Sequence, residues 1–317
     1  MKTVCSSVLV ILLLSVCALL VHGDVHSAQY KGSAMCVMCH KNTEKALVEA
    51  SQKSAHSKAL QKPDAEGAVV SDFSTNKQFT KDKVAFVLGS GRHEQAYIDA
   101  DMKVLPAIWD VKSKTWKPTE AVDASEKCIG CHVTGYEQEK KTYTQMGVGC
   151  EACHGPGSEH LAGGDRKATI VNPHNLDSAK QAMLCGSCHS VGHNLVTVEG
   201  KPAPGKYAFP LGFRPGDDLT KSFIDAKPTG PGQNQEYSEF IQSQHSKAGL
   251  SCTSCHDPHG TTAIRAQLKK PINELCMGCH AAKIKDMATH APTAAADATC
   301  ATCHMPAGQH NFAKPGG

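Results

Sequence analysis

Bulky aromatic side chains are scarce in this chain. Trp, Tyr and Phe together make up 5% of 317 residues, with two tryptophans in all. Hydrophobic residues reach 40%, but that count includes an apolar N-terminal segment and sixteen cysteines. Too little large apolar mass remains to fill a core of ordinary density. Charge of one sign is lacking too. Lys and Arg number 33 against 30 Asp and Glu, a formal net charge of +3. That balance does not make a basic nucleic-acid binder. Past the N-terminus no apolar run is long enough to cross a bilayer, which excludes a polytopic membrane protein. No glycine-rich phosphate loop is present, and no serine–histidine pairing can be placed. What abounds is cysteine, at 16, and histidine, at 18. Such a chain draws part of its core from something other than side chains.

The N-terminus reads as an export signal. Lys2 is followed by an apolar stretch over residues 4–21, and Val21-His22-Gly23 resembles a cleavage site. Residues 1–23 are therefore expected to be a signal peptide, cut after Gly23. Two rivals are an uncleaved anchor, since the stretch is borderline for spanning a bilayer, and lipid attachment at Cys17. Val16 stands where lipid attachment wants a small residue. Membrane association is expected only if this segment is retained. In each case the rest of the chain is periplasmic or extracellular, where unprotected thiols oxidise.

Cys5 and Cys17 lie in the signal segment; the other cysteines form C-x-x-C pairs. The pairs are Cys36/Cys39, Cys128/Cys131, Cys150/Cys153, Cys185/Cys188, Cys252/Cys255, Cys276/Cys279 and Cys300/Cys303. Each is followed at once by histidine: His40, His132, His154, His189, His256, His280 and His304. C-x-x-C-H is the attachment signature of c-type haem. Two thiols form thioethers with the haem vinyl groups, and the next histidine reaches the iron as proximal ligand. A disulfide framework explains the even count but not the histidines. Zinc sites pair their C-x-x-C units, and seven units cannot pair off. A thioredoxin-like motif occurs once per domain. The sequence thus predicts seven covalently bound haems c, with the macrocycles as core.

Each iron has a second face. After His22 and the proximal seven, His26, His56, His93, His160, His174, His193, His245, His259, His290 and His310 remain. His245 lies on an apolar face with Tyr237, Phe240, Ile241 and Ala248 if residues 235–248 are helical. His56 ends a helical pattern over residues 43–60. His259 follows motif 5 past Pro258, whose fixed φ turns it toward another haem. His160 follows the Gly155-Pro156-Gly157 turn. His290 and His310 sit in tails after motifs 6 and 7, and His93 follows Gly89-Ser90-Gly91. These seven, His56, His93, His160, His245, His259, His290 and His310, are the expected distal ligands. His26, His174 and His193 read better as exposed or structural histidines. All-histidine ligation implies low potentials, since Met/His ligation raises them.

The expected fold is a multihaem cytochrome c: short helices and loops wrapped around haems, with one small antiparallel β element near residues 84–116. Its strand-like pieces are residues 84–88, 102–105 and 108–110, turning toward Trp116. Residues 200–234 are dense in proline and glycine and read as a connector. The expected division is a four-haem domain over 24–199, the connector over 200–234 and a three-haem domain over 235–317. In the last part the motifs repeat at even spacing, one haem per unit.

Two resemblances follow from the motifs. Residues from Gly149-Cys150-Glu151-Ala152-Cys153-His154-Gly155-Pro156-Gly157-Ser158-Glu159-His160, with Cys128–His132, Thr134-Gly135-Tyr136, Val104-Leu105-Pro106 and Trp109-Asp110, resemble the tetrahaem cytochrome family of ammonia oxidisers. The likeness covers about residues 30–195 and implies distal ligation by His56, His93 and His160. It also implies one iron without a distal ligand. The stretch His245-Ser246-Lys247-Ala248-Gly249-Leu250-Ser251-Cys252 through His259-Gly260 resembles the decahaem periplasmic cytochromes of dimethyl-sulfoxide and metal-reduction chains. That likeness implies electron relay from quinol oxidation to a terminal acceptor. Seven motifs depart from both four and ten.

The sequence reading is an exported heptahaem electron carrier without catalytic residues. Its partners would be redox proteins: a quinol-linked donor, and a terminal reductase or outer-membrane conduit. No nucleic acid is expected. One rival is a reductase or oxidase of small nitrogen or sulfur oxyanions, which needs one open iron. No C-x-x-C-K pair is present, and surplus histidines count against an open site. Another rival is a subunit of a haem-bearing filament, with a histidine such as His26 given to a neighbour.

Overall fold

The computed structural model describes residues 28–227, 235–284 and 286–312. Among them helices are short, because Gly, Pro and Asx caps interrupt the chain every turn or two. In chain order they are α1 (Ser33–Thr43), α2 (Lys45–Lys53), α3 (Ala124–Lys127), α4 (Ile129–His132), α5 (Cys150–His154), α6 (Ser158–Ala162) and α7 (Ser178–Gly186). Then follow α8 (Glu236–Phe240), α9 (Gln244–Lys247), α10 (Cys252–Cys255), α11 (Ile272–His280), α12 (Met287–His290) and α13 (Cys300–His304). Two of them start with a full capping box, Ser251 with Ser254 before α10 and Thr299 with Thr302 before α13. Reciprocal capping of this kind steadies helices too short to persist alone.

The β structure is larger than the sequence suggests. Strands β1 (Leu60–Gln61), β2 (Phe86–Leu88), β3 (Glu94–Ile98), β4 (Ala107–Asp110) and β5 (Thr115–Pro118) form a five-stranded antiparallel sheet in sequence order. The expected element near 84–116 is present, with two corrections. Residues 102–105 make only isolated bridges, and Met102 takes a positive φ of 62°. The strand is instead β3, whose polar Glu94 and Gln95 hid it. Gln95 is fully buried because its amide is satisfied: it accepts from Val70 N at 3.0 Å and donates to Ala68 O at 2.7 Å. Two further sheets escape the sequence reading. Strands β6 (Val133–Glu137) and β7 (Thr142–Met146) form a hairpin, and β8 (Gly192–Val198) pairs with β9 (Lys201–Pro204) and β10 (Phe223–Asp225).

The five-stranded sheet has two different faces. Val87 pairs with Tyr97 across β2 and β3, and that side carries Val84, Trp109, Phe73, Phe79 and Trp116. On the other side Leu60 and Ile98 pack with Ile129, Val133 and Cys128 of motif 2. Five aromatics, both tryptophans among them, thus back the sheet whose opposite side supports a haem-attachment motif.

Two helical expectations are revised. Residues 235–248 are not one helix: Ser243, in extended conformation, restarts the chain and caps α9 by accepting from Ser246 N. The 43–60 pattern ends at Lys53, and Leu60 lies in β1. Residues 200–227 also differ from a loose connector. They supply β9 and β10 and bury Phe209, Leu219 and Phe223. Leu219 and Phe223 share a core cluster with Ala182 of α7 and with Tyr237 and Phe240 of α8. The proline–glycine density marks turns between packed pieces. Residues 228–234 lie outside the described residues, as do residues 1–23 and His26.

Candidate haem-binding site

Each C-x-x-C-H motif sits on a helical turn. In that geometry residues i, i+3 and i+4 share one side, so both thiols and the histidine face the same space. Motif 4 runs past the end of α7, yet keeps the turn: His189 N donates to Cys185 O at 2.9 Å. His256 N makes the same bond to Cys252 O, also at 2.9 Å. Among the described residues no motif cysteine is tied up in a disulfide.

Four attachment cysteines are exposed, Cys39, Cys188, Cys279 and Cys303, each in a motif whose first cysteine is half-buried. In motifs 1 and 7 the half-buried thiol is the one beside a neighbouring motif, Cys36 beside Cys150 and Cys300 beside Cys276.

The histidines stand in opposed pairs. Ring centroids are 6.4 Å apart for His40 and His160, 6.1 Å for His189 and His56, and 6.3 Å for His154 and His259. They are 6.0 Å apart for His280 and His245, 6.1 Å for His256 and His310, and 6.1 Å for His304 and His290. A metal–nitrogen bond is about 2 Å, and a ring nitrogen lies about 1 Å from its centroid, so two imidazoles across one iron have centroids about 6 Å apart. In each pair one ring belongs to a C-x-x-C-H motif and the other does not.

Protonation agrees with that fit. His56, His132, His154, His160 and His256 each present Nδ1 to a backbone carbonyl: Pro258 at 3.4 Å, Ala59 at 3.0 Å, and Val171, Arg166 and Ala266 each at 2.8 Å. A carbonyl only accepts, so Nδ1 carries the proton and Nε2 keeps a lone pair. That is how a metal-ligating histidine is oriented. Burial lowers the pKa of His56, His132, His154, His245, His256 and His310, which favours the neutral, ligating form. His189 is the exception: Glu236 beside it raises its pKa.

Local sequence explains how distal candidates reach their partners. Gly155 takes φ 81°, a region open to glycine, and turns the chain directly after motif 3. Helix α6 then carries His160 to His40. Glu151, between the two cysteines of motif 3, is 1% exposed and accepts from Lys31 N at 2.9 Å, Gly32 N at 2.6 Å and Gly157 N at 2.7 Å. This buried carboxylate ties motif 1, motif 3 and the His160 turn together.

Six of the expected distal histidines therefore oppose a motif histidine, and His93 does not. His93 is exposed at the turn before β3, and its carbonyl is used by Val111 N at 2.9 Å. Among the described residues no histidine ring stands opposite His132. His174 and His193 are exposed and oppose no motif histidine.

The motifs themselves adjoin in a definite order. Cys36 of motif 1 lies beside Cys150 of motif 3, Cys131 of motif 2 beside Cys188 of motif 4, and Cys185 of motif 4 beside Cys252 of motif 5. Cys276 of motif 6 lies beside Cys300 of motif 7. Cys153 lies within electrostatic range of Cys188, and Cys255 within range of Cys279. The attachment sites thus run 1–3–4–5–6–7, with motif 2 beside motif 4.

These motifs, their helical setting and the opposed histidines define a multihaem c-type cytochrome, and the chain is one. Residues 85–155 match the family model described as cytochrome c554 and c-prime, and residues 245–285 match the doubled CXXCH motif. The chain is 31% identical over 178 residues to the multiheme cytochrome MtrA of Shewanella baltica, covering 50% of this chain and 53% of that protein. It is 32% identical over 125 residues to cytochrome c-554 of Nitrosomonas europaea, covering 33% and 50%. It is 28% identical over 194 residues to the dissimilatory sulfite reductase MccA of Wolinella succinogenes, covering 54% and 23%. The chain thus spans about half the length, or less, of the curated relatives it matches. In fold it is similar to the outer cell wall cytochrome OcwA, with a TM-score of 0.71 at 21% identity over 89% of this chain and 79% of that one. The undecaheme cytochrome from the S-layer of Carboxydothermus ferrireducens gives 0.56 at 23% identity, over 90% and 52%. The motifs and the multihaem relatives together support covalent binding of haem c by the chain. Among the described residues no helix is long and apolar enough to cross a membrane.

Proposed function

We propose that the chain holds seven haems c, one per motif, and carries electrons outside the cytoplasm between a quinol-linked donor and a terminal acceptor. The observation that carries the reading is the set of opposed histidine pairs at 6.0–6.4 Å. His160, His56, His259, His310, His245 and His290 are assigned as distal ligands to the irons of His40, His189, His154, His256, His280 and His304, in that order. Bound haem supplies one-electron redox chemistry at each motif. The polypeptide supplies the axial ligands, fixes their tautomers through Nδ1 and sets the motifs side by side. The apolar segment over residues 4–21 supports export.

A second reading rests on His132. Its ring is oriented like those of His154 and His256, with Nδ1 on Ala59 O at 3.0 Å. The described residues offer no opposing histidine, so the seventh iron is assigned an open position. An open position at motif 2, beside motif 4, favours a role in which a small oxyanion or other ligand meets electrons there. A carbon monoxide difference spectrum of the fully reduced protein tests both readings. Binding at one haem in seven is expected. No binding would leave a pure carrier, and binding at several haems would overturn the ligand assignment. Haem content by pyridine haemochrome and intact mass tests the count of seven.

A further inference from the structure

The motif histidines differ in what their Nδ1 atoms face. His132, His154 and His256 face backbone carbonyls. His189 faces a carboxylate, with Nδ1 3.7 Å from Glu236 Oε2. Glu236 opens α8, and that Oε2 is buried and accepts no hydrogen bond among the described residues. Asp257 Oδ1 stands 3.6 Å from His259 Nδ1, but Asp257 is already engaged. It accepts from His259 N at 3.0 Å, from Thr261 N at 2.7 Å and from the Thr261 hydroxyl. Glu236 Oε2 accepts no such hydrogen bond, and besides His189 it has His310 within electrostatic range.

Motif 4 is also where the attachment sites branch. Cys188 meets Cys131 of motif 2, Cys185 meets Cys252 of motif 5, and both lie within electrostatic range of Cys153 of motif 3. We propose that Glu236 sets the potential of this junction: its carboxylate, facing the axial His189, holds that site more reducing than the sites around it. The proposal deepens the proposed function and rests on its assignment of His189 and His56 to one iron.

The physical reason is electrostatic. Ferric iron carries one more positive charge than ferrous, so a nearby negative charge favours the oxidised state. A carboxylate against the far nitrogen of an axial imidazole also makes that ligand more basic. A neutral carbonyl, as at the other three motifs, does less of both. An electron reaching the junction is then not trapped there and passes on along one of three branches.

Ligand geometry makes the site visible. Ring planes are 80° apart for His56 and His189 and 78° apart for His245 and His280. The other four pairs are 19–30° apart. Perpendicular and near-parallel imidazoles give different low-spin ferric electron paramagnetic resonance signals, because the ring planes set the splitting of the iron d orbitals. The experiment is a potentiometric titration of the intact holoprotein, monitored by that resonance, for wild type, Glu236→Gln and His56→Ala. In Glu236→Gln one of two perpendicular-type signals is expected to titrate at higher potential. The shift should be at least tenfold in its reduction equilibrium, or 59 mV for one electron. The second perpendicular signal should stay in place. Asp257→Asn should move a near-parallel signal by less. His56→Ala should abolish the perpendicular signal that Glu236→Gln moves. No shift in Glu236→Gln, or equal shifts at several haems, would overturn the tuning role. Both perpendicular signals persisting in His56→Ala would overturn the ligand assignment beneath it.

Discussion

A histidine ring is held in its ligating tautomer when its other nitrogen is committed elsewhere. Backbone carbonyls do this at five rings here, so the tautomer is set by chain geometry rather than by a neighbouring side chain. At this scale the distal set could be guessed in part. His245 and His56 showed helical patterns with apolar neighbours, and both oppose motif histidines, although both helices break earlier than the pattern suggests. His93 looked equally suitable after its glycine turn, yet the β-ladder leaves its side chain exposed. The sequence carries no sign of that, because the ladder partner of His93 is Val111, on another strand. The assigned set makes a direct prediction. His259→Ala should convert one low-spin haem to high spin and raise carbon monoxide binding from one site to two. An unchanged spectrum would remove His259 from the ligand set. His259 is informative because its partner, His154, lies on the far side of the proline–glycine stretch.

At the scale of elements, the motifs are helical turns that need close neighbours. Gly130, inside motif 2, has no room for a Cβ, which would fall 2.2 Å from Phe209 Cδ2. Phe209 is buried and comes from the segment that reads as a connector. Gly130→Ala should therefore destabilise the protein by about 1–3 kcal/mol, the usual cost of overpacking. A lowered denaturation midpoint with an unchanged m-value would show it. Phe209→Leu in the same chain should recover part of the loss, since the two positions touch. The glycine was legible in the sequence, but its reason was not. A residue between two haem-binding cysteines gives no hint that an aromatic ring more than seventy positions later will lie against it. The missed strand β3 has a similar cause. Its buried Gln95 looks polar in sequence and becomes core only because Ala68, Val70 and Gly89 satisfy its amide.

For the whole molecule, the expected division into 24–199 and 235–317 has to be set beside contacts that cross it. Ala182, Leu219 and Phe223 pack with Tyr237 and Phe240, Ser251 and Thr253 hydroxyls donate to Gln181 Oε1 at 2.8 and 2.6 Å, and His154 opposes His259. A backbone cut between residues 228 and 234 should therefore leave both fragments together in size-exclusion chromatography, with an unchanged haem spectrum. Separation of the fragments would mean that the two parts are held by the chain alone. The order of the attachment sites is likewise a property of the whole. Motif 2 precedes motif 3 in sequence but adjoins motif 4. Motif 2, which no histidine ring among the described residues opposes, is thus placed as a side branch rather than in line.

The amino-acid sequence by itself determined how haem is attached and where. Attachment is a local act of two thiols and a histidine within one helical turn, so five consecutive residues hold all the information. It also determined that the side chains alone would make a thin core. Only the tertiary structure decided which histidine faces which, which motifs adjoin, which thiols such as Cys39 and Cys303 stay at the surface and which carboxylate lies beside an axial ring. Most of these are meetings between distant segments: His56 with His189, His154 with His259, Glu236 with His189. They depend on the turn at Gly155, the restart at Ser243 and the packing of residues 200–227. None of these leaves a periodic trace in the chain, because each is fixed by partners that only folding brings within reach.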